Sequence, residues 1–295
     1  MIKIYRQYPV INGFLQVPPN LESDRTKYVV GNHLNNPIGL SLGNLKGFNG
    51  DGSGWNIVQS GAFAPVVAND VLRITSVNVG STKNAFWNTA KIYTGKSFKI
   101  SFTYRCAQSS SQADGITFTV HNDPAGLNAV GAQGSGLGYT GLKNSFGYAI
   151  DVYSGTAGTY GGTGLSTAGA DFFTVGSGRF FNLGAGSVNL RDTHPKNITI
   201  EYDVDSGVFT ETVTDTVNSK TFTRAYTGIN LANIIGTDQA YYGFTGATGG
   251  SRADQYISNF NVAINAFGSP DAESIKDVVI KHNVEYLEFL TTTIG

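Results

Sequence analysis

Ala113-Asp114-Gly115-Ile116-Thr117-Phe118-Thr119-Val120 opens with a carboxylate and runs on as an alternation of apolar and hydroxylated side chains. A period of two is the mark of a strand with two different faces. A turn follows at Asn122-Asp123-Pro124-Ala125-Gly126, then a glycine-dense loop, Gly134-Ser135-Gly136-Leu137-Gly138-Tyr139-Thr140-Gly141. A second strand-like run comes next, Tyr148-Ala149-Ile150-Asp151-Val152-Tyr153. One carboxylate thus stands at the entry of the first strand and another inside the second. A loop so rich in glycine can bring its backbone N–H groups close to a ligand, because no Cβ stands in the way.

Upstream, residues 71–75, 81–87 and 98–104 read as strands separated by clusters of Gly, Asn, Asp and Ser. Downstream, residues 197–205 alternate strictly, with Ile198, Ile200, Tyr202 and Val204 on one face. A turn at Ser206-Gly207 leads into a predicted hairpin of residues 208–217 and 221–223, and residues 256–262 supply a final strand. Short strands at this spacing predict an all-β antiparallel β-sandwich of the jelly-roll kind over residues 47–265. Residues 155–186, mostly Gly, Thr, Ser and Ala with scattered aromatics, read as loops around short strands. Residues 1–46 show no period and predict an extended N-terminal arm. Residues 266–295 predict a C-terminal extension, a short helix begun by Pro270 and its following acids and then a strand.

The 295 residues include 38 glycines, about twice the ordinary share, and only 14% are charged against about 25% in a typical globular chain. The formal net charge is −1 and no basic run occurs, so nucleic-acid binding through phosphate neutralisation is not expected. The single cysteine, Cys106, excludes an intrachain disulfide and reads as a buried strand thiol. No apolar run approaches the ~20 residues of a spanning helix, and the first residues show no export signal. The expected setting is synthesis in a reducing cytoplasm without membrane insertion.

Several motifs in order resemble the L-type (legume-type) lectin family, in the form of its bacterial and viral members. They are Ala113-Asp114-Gly115 with its apolar strand, Asn122-Asp123-Pro124 with Gly126, Gly136-Leu137-Gly138-Tyr139 with Gly141, Asn144-Ser145, and Ala149-x-Asp151-x-Tyr153. Tyr242-Gly243-Phe244-Thr245-Gly246-Ala247-Thr248-Gly249 and the final strand extend the likeness over about residues 47–265. The resemblance implies a concanavalin A-like sandwich and non-enzymatic carbohydrate binding. In the family the aspartate matching Asp114 accepts hydrogen bonds from sugar hydroxyls, and the peptide before it is cis. The glycine loop then supplies a backbone N–H from Gly134, Ser135 or Gly136. Tyr153 falls where some members lay an aromatic ring against the C–H face of the sugar. Residues 247–252, with Gly249 and Arg252, complete the expected rim. Each of these residues has a plainer alternative, a turn aspartate or an edge-strand tyrosine, and the motif context favours the ligand role.

The resemblance thins at the family's metal site. Metal-binding members carry Glu-x-Asp on the second strand, followed by an asparagine, a further aspartate and a histidine. Here the strand reads Ala149-Ile150-Asp151, with no Asn before Asn182 and no His before His194. Calcium takes about 6–8 oxygen ligands, so Asp151 alone predicts no metal and no cofactor. In the family, calcium orders the loop asparagine and helps hold the cis peptide; without it the loop must be fixed by packing, or the site is altered or dead. The related glucanases' Glu-x-Asp-x-x-Glu has its nearest counterpart at Glu201-Tyr202-Asp203-Val204-Asp205-Ser206, which ends in serine, so no catalytic pair is expected. Gly136 to Gly141 also fits G-x-G-x-x-G, but no helix is expected after it, which excludes the dinucleotide reading.

The expected partners are glycans, together with self-association or other virion subunits through the two terminal segments. The predicted role is a surface or adhesion component of a virus or phage particle, found in the virion or released on lysis. The alternative is a capsid decoration or tail-fibre component that uses the sandwich as a scaffold without binding sugar.

Overall fold

The computed structural model describes residues 45–108, 111–172 and 180–264, together with two short paired strands nearer the N-terminus. Those two, β1 (Val10–Ile11) and β2 (Phe14–Leu15), pair antiparallel within a separate unit, Met1–Asn44. The rest of the expected arm as far as residue 44 and the whole expected C-terminal helix and strand lie outside the described residues. The second unit begins at Leu45.

Strands β3 (Leu45–Lys46), β4 (Trp55–Ser60), β5 (Val66–Ala68), β6 (Val71–Thr75), β7 (Lys83–Asn88), β8 (Ile92–Tyr93) and β9 (Phe98–Cys106) lead to β10 (Gly115–His121). After it come β11 (Ser145–Asp151), β12 (Gly162–Thr167), β13 (Phe180–Asn182), β14 (Lys196–Asp203), β15 (Val208–Asp215), β16 (Thr221–Tyr226), β17 (Gln239–Ala247) and β18 (Gln255–Ile264). A front sheet runs β13-β12-β11-β10-β17-β7-β4 and a back sheet runs β16-β15-β14-β9-β18-β6-β5. Every pairing is antiparallel, so the predicted two-layer sandwich is the observed fold. A bulge at Asn259, in the left-handed region at φ 52°, shifts the β18–β9 register.

The alternation read from the sequence becomes the core. Along β9, Phe98, Ile100, Phe102, Tyr104 and Cys106 are all buried, and along β14 so are Ile198, Ile200 and Tyr202. They meet Ile116, Phe118 and Val120 of β10 between the sheets, where Phe118 packs edge-on against Phe244. A Phe→Ala change at such a site costs about 3–5 kcal/mol.

The other face of β10 is equally buried, because the glycine loop folds over the front sheet. Leu137, Tyr139 and Leu142 from the loop join Ala85, Trp87, Ala149 and Phe172 in a second apolar cluster. Polar bonds pin the loop from beneath. Trp87 Nε1 donates to Ala129 O, Asn56 Nδ2 to Leu127 O, and Thr245 Oγ1 to Leu137 O. The glycine loop is thus held by packing and by these hydrogen bonds. No helix among the described residues is long and apolar enough to cross a membrane.

Candidate functional site

Asp114 lies one residue before β10, and its place is set from three sides. Its N–H donates to Ala247 O at 2.9 Å, and its carbonyl accepts the Val152 N–H at 2.9 Å. The peptide Ala113–Asp114 is cis, as the resemblance implied. Next to it, Gly115 sits against β11 so closely that a Cβ would lie 2.2 Å from Ile150 O, so only glycine fits. The Gly115 carbonyl accepts from Gln255 of the back sheet, whose own oxygen accepts from Tyr104 Oη.

The Asp114 side chain is buried, 5% exposed, and its Oδ2 has no hydrogen-bond partner among the described residues. Burial pushes the carboxyl up to about 6. Gly249 and Gly134 flank it: a Cβ placed on Gly249 would lie 3.3 Å from Asp114 Oδ2 and 3.9 Å from Gly134 Cα. Three expected residues from three separate chain segments therefore converge.

Gly134–Gly136 forms a single 3-10 turn closed by Leu137 in the left-handed region. The Gly136 N–H is spent inside the turn, on Gln133 O, and Gly136 itself is buried. Of the three expected donors, the Gly134 and Ser135 N–H groups stand outside the loop's own hydrogen-bond ring, and Ser135 is exposed. Tyr153 is 37% exposed, and its ring lies over Gly155. Arg252 is exposed with its guanidinium beside Gly80, and it makes no ion pair with Asp114 among the described residues.

Asp151 pairs in register with Gly115, so strand pairing makes neighbours of two carboxylates that stand far apart in sequence. Burial pushes Asp151 up to about 7, against the lowering effect of its hydrogen bonds to Thr156 and the Tyr153 N–H; Asp114 raises it further and Arg191 lowers it. The Tyr153 N–H donates to Oδ1 at 2.6 Å and Thr156 Oγ1 to Oδ2 at 2.6 Å. Both oxygens are thus already used at the start of helix α1 (Ser154–Ala157).

The residues present do not fit the family's calcium. Its one retained carboxylate is engaged by protein donors, and Arg191 adds positive charge beside it. Sequence reasoning missed Thr156, Arg191 and Gln112, which carry no motif. Among the described residues the carboxylate–histidine cluster with metal-like spacing is Asp192, His194 and Asp215, and Lys196 Nζ already sits within it, 3.2 Å from Asp215 Oδ2. The glucanase-like residues are surface groups: Glu201 pairs with Lys99 at 2.5 Å, and Asp203 caps the turn through Asp205 and Ser206 N–H.

The legume lectin domain matches residues 44–277. Among solved structures, lectin II from Ulex europaeus superimposes with a TM-score of 0.58 at 15% identity, covering 72% of this chain and 92% of its own. The lectin from Bauhinia forficata in complex with GalNAc gives 0.55 at 19% identity, covering 72% and 93%. The winged bean acidic lectin complexed with methyl-α-D-galactose gives 0.56 at 17%, covering 71% and 92%. At these identities the likeness is one of fold. A comparison with curated proteins finds no match.

Proposed function

This chain belongs to the legume lectin domain family, and on that premise we propose that it binds carbohydrate without transforming it, at the mouth formed by Asp114, Gly134, Ser135 and Gly249. The observation that carries this reading is Asp114 Oδ2, buried and partnerless where two glycine backbones meet. A buried acceptor left unmatched costs about 1–3 kcal/mol, and a sugar hydroxyl donating to it removes that cost. The Gly134 and Ser135 N–H groups then meet a second sugar oxygen, and Tyr153 covers the ring's C–H face from the rim. Two of the structural neighbours are complexes with GalNAc and with methyl-α-D-galactose, which makes these the first probes. One sugar unit binds weakly through so few contacts, so repeated copies or multivalent glycans raise the avidity.

The wider setting in this proposal is a viral or phage surface or adhesion component that self-associates through the segments flanking the sandwich. Its support is the segments that flank the lectin pattern. Light scattering on a chain lacking residues 1–44 checks that part, with loss of the oligomer as the expected result.

The site itself is tested by a glycan array and calorimetry with GalNAc and methyl-α-D-galactose. Wild type binds, and Asp114→Asn loses affinity about 100-fold while melting normally. Wild-type protein that binds no glycan would defeat the reading and leave the scaffold role.

A further inference from the structure

We propose that Arg191 and Thr156 do in this chain what a bound cation does in the metal-binding members of the family, so that the mouth around Asp114 is assembled without metal. The inference rests on the carbohydrate reading only for what that mouth binds; the assembly itself is separately testable.

The segment after β11 is closed on its own aspartate. The Thr156 hydroxyl and the Tyr153 N–H take one Asp151 oxygen each, at 2.6 Å. A hydroxyl donor and a cation compete for the same lone pairs of a carboxylate, two on each oxygen. With one lone pair of each oxygen taken, a divalent ion would have to share Asp151 with two short hydrogen bonds, and would find its other ligands elsewhere.

Arg191 then joins this segment to the one that carries Asp114. Its Nη1 donates to the Gly158 carbonyl at 3.1 Å, just past helix α1. Its Nε donates to Gln112 Oε1 at 3.2 Å, and Gln112 Nε2 returns a bond to the Arg191 carbonyl. Gln112 immediately precedes the cis Ala113–Asp114 peptide, and the Val152 N–H holds the Asp114 carbonyl from the other side. One planar guanidinium with several fixed donors thereby clamps two loops, a task that suits arginine better than lysine. Its charge also lies close enough to Asp151 to counter, in part, the effect of burial on that carboxyl. The same charge repels an incoming cation. Arg191 and Thr156 are positioning residues: neither is placed to touch the sugar, and both act through where Asp114 sits.

The test compares the full chain after EDTA treatment with the same protein in millimolar calcium chloride, by thermal melting, native mass spectrometry and binding of GalNAc and methyl-α-D-galactose. The expected result is an unchanged melting temperature, no calcium adduct and unchanged binding. Thr156→Val and Arg191→Met each weaken binding about tenfold, and Thr156→Ser restores it. A melting temperature that EDTA lowers and calcium restores, or a stoichiometric calcium in the native mass, overturns the inference. So does full binding by both variants. If wild type binds no glycan on the array, the carbohydrate reading fails, while the melting and mass comparisons still decide how the loops are held. If either variant fails to fold, the wild-type EDTA and calcium comparison still decides.

Discussion

A few residues apart in the chain, Arg191 and Lys196 serve carboxylates that are buried in opposite ways. Lys196 is 1% exposed, and its ammonium sits between Asp192 and Asp215 with the His194 ring alongside. Burial works to raise the Asp215 carboxyl, but the Val217 and Asn218 N–H groups, His194 and Lys196 outweigh it and hold it at about 2. Asp114 has no such company. Burial acts on it unopposed and raises it to about 6, and its Oδ2 has no hydrogen-bond partner among the described residues. A carboxylate that serves the fold arrives with its counter-charge and its donors. Under the proposed function, Asp114 keeps an oxygen for the ligand. Asp151 stands between the two, hydrogen-bonded at each oxygen yet held near 7 by burial.

That contrast can be broken by matched substitutions. Lys196→Met should be the most damaging, because it takes the counter-charge from the buried Asp215 and from the half-buried Asp192; removing one partner of a buried pair costs about 3–5 kcal/mol, read as the shift in a urea or thermal melt. Asp114→Asn should leave stability unchanged or raise it by about 1 kcal/mol near neutral pH, while it removes sugar binding. If the two substitutions destabilise equally, Asp114 is an ordinary structural group.

Acidity sharpens the comparison with a smaller effect. The folded values of Asp114 and Asp151 lie above the ordinary 3.8, so between those limits the folded chain holds more protons than the unfolded one. These two groups therefore make stability fall as pH rises from about 4 to about 7. Asp215 has the opposite sign: its contribution is present above its ordinary value and is lost as pH falls towards about 2. Melting temperature against pH, with Asp114→Asn beside wild type, should show a flatter decline between pH 4 and 7 in the variant. The smallest expected effect is Tyr153→Ala, which should weaken sugar binding a few-fold, as expected for about 0.5–1 kcal/mol of ring contact, and hardly move the melt.

The strands were legible because a half-buried strand writes its two faces into alternate residues. Ile198, Ile200 and Tyr202 face inward as read, and so do Phe209 and Val213 on β15. What alternation concealed was polar groups at inward positions. Lys196, Glu211 and Asp215 occupy buried places in the same pattern, and each is allowed there by partners the sequence does not show. Glu211 accepts from Thr163 and from Tyr226, two strands that come together only in the fold. Asp114 could be placed from its motif, and Gly134 and Gly249 with it. Thr156, Gln112 and Arg191 could not, because their significance lies in contacts between segments as much as 79 residues apart. The covering role of Leu137, Tyr139 and Leu142 was hidden for a similar reason, since an irregular loop has no period to betray which side chains it buries.

The most direct test is the carboxyl titration of Asp114 itself, followed by carbon-detected NMR with and without the sugar that wild type binds. The free protein should show Asp114 titrating near 6, and saturation with sugar should lower that value, because hydroxyls donating to the ionised form favour it. An Asp114 that titrates in the ordinary range in the free protein, or that does not move when sugar is bound, would contradict the account.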